Sequence, residues 1–137
     1  MEDKILNKDY ILANGSRFDD TFSYGGDKYD SFIVQYDQEG NEHLFTGIIY
    51  DCYENGGLAS YYVVKDGIKH GGMVQYYPNG QVKEIKYLDK NVLEGPQKEY
   101  YENGCIKLVK YRVLGRILSF KKYDEQGNLV EEKSEAI

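Results

Sequence analysis

Val74-Gln75-Tyr76-Tyr77-Pro78-Asn79-Gly80-Gln81-Val82-Lys83-Glu84-Ile85 holds two strand-like runs either side of Asn-Gly. Asn-Gly in such a setting is the strongest short-range signal for a β-hairpin, because both residues accept the positive φ of a type I′ turn. A two-residue turn there sets Tyr77 opposite Val82, Tyr76 opposite Lys83 and Val74 opposite Ile85. The same tip stands 24 residues earlier, Tyr53-Glu54-Asn55-Gly56, and 24 residues later, Tyr101-Glu102-Asn103-Gly104.

Other positions keep the same period. Gly47, Gly71 and Gly95 are 24 apart, with Ser119 next in line, and so are Gly67, Asn91 and Gly115. Asn commonly replaces Gly where φ is positive. Agreement of independent registers marks a repeat array, with full units at about 47–70, 71–94 and 95–118. Tyr36-Asp37-Gln38-Glu39-Gly40-Asn41 and Tyr123-Asp124-Glu125-Gln126-Gly127-Asn128 read as tips of shorter flanking hairpins. The expected fold is all-β, an elongated single-layer antiparallel sheet of consecutive hairpins with atypical ends that cover its edges. Residues 31–137 form the array. Residues 1–30 form an acidic, aromatic-rich segment packed on it or capping it. Within that segment Tyr10 to Ala13 with Asn14-Gly15 reads as a further hairpin, and 17–30 as a strand pair or a loop across the sheet. The tail after Val130 is polar and is expected to fray.

Alternation sorts side chains onto two faces. The core face is expected to carry Ile48, Tyr50, Cys52, Ala59, Tyr61 and Val63, then Val74, Tyr76, Ile85 and Tyr87 with Lys83. It ends with Tyr100, Val109, Tyr111 and Val113 with Lys98 and Lys107. The other face is mixed. A ladder of Tyr53, Tyr77 and Tyr101 runs along it beside Leu58, Val82 and Ile106, with acids at Asp51, Glu84 and Glu99. Gln75 and Glu84 are expected to face solvent.

Composition narrows the function. The net charge is −6, and all of the excess lies in residues 1–45, which hold ten acids and four bases. Nucleic acid and anionic membranes are poor partners for such a surface, whereas a basic protein is a good one. No run approaches the roughly 20 apolar residues that span a bilayer, and no leader pattern opens the chain, so a cytoplasmic location is expected. Cys52 and Cys105 fall in units one and three, too far apart to bridge. With two isolated histidines, His43 and His70, they supply no metal set. No nucleophile–base constellation or phosphate loop stands out, and Tyr24-Gly25-Gly26-Asp27 is too short for one. The expectation is a protein that is not an enzyme and needs neither cofactor nor metal.

Phe45-Thr46-Gly47, Tyr76-Tyr77-Pro78-Asn79-Gly80 and Tyr100-Tyr101-Glu102-Asn103-Gly104 resemble the variant MORN repeat, over about residues 33–133. More closely the chain resembles the YwqK-type antitoxin proteins built from that repeat. The resemblance implies an array without catalytic residues that serves as a scaffold or dimerisation module, or that neutralises a toxin by binding it. Residues 1–30 lie outside the pattern.

The expected function is therefore an immunity or antitoxin protein that occludes a basic bacterial toxin, with a structural scaffold or dimerisation module as the alternative and the oligomeric state left open. Aromatic rings beside carboxylates suit capture of Lys- and Arg-rich protein. The expected contact residues are Asp19, Asp20, Phe22, Tyr24, Asp27 and Asp30 of the N-terminal segment, with Asp51, Tyr53, Tyr77, Glu84, Glu99 and Tyr101 of the mixed face.

Overall fold

A computed structural model describes residues 5–25 and 32–134; the readings placed on Asp27 and Asp30 lie outside them. In chain order the elements are α1 (Lys8–Asn14), β1 (Ser16–Arg17), β2 (Phe22–Tyr24), β3 (Ile33–Tyr36), β4 (Glu42–Leu44), β5 (Gly47–Cys52) and β6 (Leu58–Lys65). Then follow β7 (Ile68–Tyr76), β8 (Val82–Asp89), β9 (Val92–Leu93), β10 (Gly95–Tyr100), β11 (Ile106–Val113), β12 (Arg116–Tyr123) and β13 (Leu129–Ser134). The main sheet runs β1-β5-β6-β7-β8-β10-β11-β12-β13, with β9 paired to β8. It is antiparallel throughout except that β1 joins β5 in parallel. It is an open sheet of consecutive hairpins, as the period requires.

The hairpin tips differ from the expected two-residue turn. Gly80 N donates to Tyr77 O at 2.9 Å and Tyr77 N to Gln81 O at 2.8 Å. Only Gly80 has positive φ, +91°. This is a three-residue loop with a left-handed glycine. Asn79 stays out of the left-handed region and its side-chain oxygen accepts Gln81 N at 2.9 Å. Asn55 and Asn103 do the same for Gly57 and Cys105. The pairs Val74↔Ile85 and Gln75↔Glu84 hold, but a bulge then sets Tyr76 against Val82 instead of Lys83. The bulge swings Leu58 and Val82 from the mixed face into the core beneath α1, which corrects their placement.

The Asp-type tips solve the same turn by another route. Asp37 Oδ1 accepts Glu39 N and Asn41 N, and Asp124 Oδ1 accepts Gln126 N and Asn128 N, all at 2.9 Å. The acceptor moves from the middle residue of the loop to the residue that precedes it. The His43 ring, then the Asn41 amide, hold the Asp37 carboxyl down to about 2. True two-residue turns close the opposite ends of the strands. Asp66-Gly67, Lys90-Asn91 and Leu114-Gly115 all have positive φ, between Lys65↔Ile68, Asp89↔Val92 and Val113↔Arg116. The Gly67/Asn91/Gly115 register thus marks the type I′ turns.

Two covers lie on the N-terminal half of the sheet. Residues Tyr10–Ala13 belong to α1, not to a hairpin. Asn7 caps that helix by accepting Asp9 N and Tyr10 N, and Gly15 N closes it on Ile11 O. A Cβ at Gly15 would stand 2.6 Å from Ile11 O and 2.9 Å from Tyr50 Cδ2, so glycine lets the helix end meet β5. The helix buries Ile11 completely against Ile48, Tyr61, Val74, Tyr76 and Ile85. On the other face β2, β3 and β4 form a separate sheet, so the Tyr36 hairpin stands outside the main ladder. Its Phe22 and Ile33 pack on Ile49 and Val64, flanked by Phe45 and Tyr62. The array is a single layer only beyond these covers. There Tyr111 and Val113, expected in the core, are 47% and 37% exposed.

Candidate partner-binding cleft

Parallel pairing of Ser16 with Ile49 and of Arg17 with Tyr50 brings the end of β1 beside the mixed face. The chain then turns away through Phe18 and Asp19. Between that turn and β5–β6 lies an open cleft of about 590 Å³, lined by Arg17, Phe18, Asp19, Ile49, Tyr50, Asp51, Ser60 and Tyr62. Asp19 Oδ1 accepts the Thr21 hydroxyl at 2.6 Å and its amide at 2.9 Å. These bonds hold the Asp19 carboxyl below the usual carboxylate range and keep it ionised and oriented. Asp51 lies 3.4 Å from the Arg17 guanidinium, but both side chains are mostly exposed, at 72% and 57%. Such a pair is weak and exchangeable. On the same face Lys69 Nζ stands 4.7 Å from the centre of the Tyr62 ring, an intramolecular case of the cation–aromatic contact this surface offers. The cleft therefore offers two carboxylates, aromatic walls and one displaceable cation.

Of the expected contact residues, Asp19 and Asp51 meet in this cleft. Asp20 is exposed next to it. Phe22 is 5% exposed, stacks on Phe18 at 5.5 Å and meets Phe45 edge-on at 4.9 Å, so it serves the core of the small sheet. Tyr24 is 58% exposed and lines a different cavity of about 370 Å³ with Phe32, Lys69 and Lys90.

The three ladder tyrosines each reach the next unit. Tyr53, Tyr77 and Tyr101 donate their hydroxyls to the carbonyls of Tyr76, Tyr100 and Tyr123, the last two at 2.6 and 2.8 Å. Asn79 and Asn103 add bonds to Glu102 O and Glu125 O of the following tips, both at 3.2 Å. The ladder thus ties unit to unit.

Glu84 and Glu99 face each other directly across β8 and β10. Gln97 Nε2 donates to Glu84 at 2.8 Å, Lys86 lies 3.4 Å from Glu84 and Lys110 lies 4.0 Å from Glu99. Glu84 is therefore half-buried and partnered instead of facing solvent. Sequence reasoning missed Arg17, Phe18, Tyr50, Ser60 and Tyr62. Ser60 and Tyr62 share the mixed face with Asp51, a signal alternation already carried. The parallel β1–β5 pairing that brings in Arg17 and Phe18 leaves no local pattern.

Cys52 and Cys105 are free thiols. Among the described residues no helix is long and apolar enough to cross a membrane. The chain matches none of the curated proteins and none of the solved structures compared with it. The family model described as "MORN repeat variant" matches residues 69–89 and 93–108, so units two and three of the array are similar to that repeat.

Proposed function

We propose that this chain is a non-catalytic immunity or antitoxin protein that neutralises a basic bacterial toxin in the cytoplasm by one-to-one binding. The observation that carries the reading is the convergence of Asp19 and Asp51 with Phe18 and Tyr62 around one open cleft. A lysine or arginine of the partner displaces Arg17, pairs with the carboxylates and lies against the rings. The excess acid of residues 1–45 steers the encounter.

The test takes a candidate basic toxin as the partner, and measures neutralisation and association kinetics. Changing Asp19, Asp20 and Asp51 together to Asn keeps size and most hydrogen bonding. The association rate then falls about tenfold or more at low salt, and its salt dependence flattens. A folded triple variant that neutralises and associates unchanged rejects the electrostatic capture. It would leave the plain scaffold reading, which the repeat itself favours.

A further inference from the structure

The two ends of the main sheet are finished differently. At one end β1 is only two residues long, and the helix and small sheet lie beside it. Short, covered edges are how sheets avoid unwanted pairing. At the other end β13 runs for six residues, Leu129 to Ser134, and every one is exposed. It pairs with β12 on one side. Its other side has no strand partner among the described residues, so a row of backbone donors and acceptors is open. Leu129 and Val130 are 48% and 62% exposed, an apolar lead into that edge.

The charges on β13 decide what can pair there. Glu131 and Glu132 are successive residues of a strand, so each face of the edge carries one acid, and Lys133 shares the face of Glu131. On one face Lys122 lies 3.5 Å from Glu131. On the other Lys121 stands opposite Glu132. Each row thus ends lysine then glutamate, and a base is the complementary next residue.

A second copy of this chain meets that need only in part. Edge-to-edge pairing about a two-fold axis normal to the sheet joins residues on the same face. Centred on Glu131, it sets Glu131 against Glu131 of the other copy; centred on Glu132, it sets Glu132 against Glu132 and leaves Glu131 opposite Lys133. Like charges directly opposite are destabilising.

We infer that the open edge of β13 takes an extended, basic segment of a protein partner as an added strand. Backbone bonds would supply affinity, and Glu131 and Glu132 would select lysine or arginine opposite them. The inference rests on the basic-partner reading above and names a second contact, at the far end of the sheet from the cleft.

The test is amide hydrogen exchange by NMR on the whole chain. The probe is an eight-residue threonine peptide with a central Lys-Lys pair, one lysine for each face. Controls are its glutamate counterpart and a lysine peptide N-methylated at every internal amide. At about ten times the dissociation constant the lysine peptide slows exchange across Leu129–Ser134 about tenfold. The methylated peptide, lacking backbone donors, does not. The Glu131→Lys, Glu132→Lys double variant, checked as folded from its amide spectrum, reverses the preference toward the glutamate peptide.

Equal protection by both peptides, or none by either, overturns the inference. So does a lysine peptide that shifts Asp19 and Asp51 while leaving β13 unprotected, and in that case the basic-partner reading stands without the edge. Stronger protection by the glutamate peptide on the unaltered chain sinks the basic strand together with the charge logic beneath it.

Discussion

Tyr76 and Tyr77 are neighbours in one strand end with opposite hydrogen-bonding fates. Tyr77 donates to Tyr100 O and links two repeats. The Tyr76 hydroxyl is buried without a partner, in a side chain 2% exposed. Burial, with the nearby Tyr61 adding to it, pushes its phenol up to about 12. Its ring is what the core uses, packed with Ile11 and Tyr61. Removing each hydroxyl should therefore give opposite signs. Tyr77→Phe loses a made bond and strands a carbonyl, which costs about 1 kcal/mol. Tyr76→Phe relieves an unsatisfied buried group and stabilises by a similar order, about 1 kcal/mol. Urea unfolding of the two single variants, at equal m-values, checks both signs.

At the scale of elements, most of the array was legible because three turn registers repeat every 24 residues. What failed did so for local reasons. Asn-Gly serves both a two-residue turn and a three-residue loop ending in left-handed glycine. The choice falls to the Asn side chain, which caps the residue two ahead. That one-residue difference moved Leu58 and Val82 to the other face. Helix α1 is seven residues, too short for a 3.6-residue period to show against Tyr10–Ala13. Asn7 as its cap and Asp9 in its first turn were the available signals. The small sheet depends on contacts distant in sequence, Ile33 N to Gly67 O and Gly67 N to Phe45 O, which no window contains. In the candidate cleft Asp51 followed from alternation, and Asp19 was picked out by its aromatic neighbours. Their meeting needed the β1–β5 pair. The helix also yields a prediction. Ile11 is fully buried, so Ile11→Ala should cost about 2–4 kcal/mol. The loss should appear as faster amide exchange in β5–β8 beneath the helix, with β11–β13 unchanged, because repeats feel mainly their neighbours.

Across the whole molecule, stability should fall from one end to the other. Tyr61, Val74 and Ile85 succeed one another across β6, β7 and β8 at 1%, 0% and 1% exposure. The same cross-strand row continues as Lys98, Val109, Lys121 and Glu132. It changes from apolar to charged where the helix no longer covers it. On the opposite face the small sheet seals Ile49 and Val64, while the row through Glu99 ends in Leu108, Lys122 and Glu131. With few buried apolar contacts, β11–β13 are held mainly by backbone ladders and by the Tyr101 bond to Tyr123 O. Such an end opens before the rest. Native-state hydrogen exchange in increasing urea should show β12 and β13 opening by a step with a small m-value, at lower free energy than β6–β8. Tyr101→Phe should lower that step by about 1 kcal/mol and leave the β6–β8 step alone. Merging of all amides into one global opening, with Tyr101→Phe shifting every strand equally, would show instead that the ladder of tip tyrosines couples the naked end to the covered one. The open edge would then be as rigid a platform for a partner strand as the core it grows from.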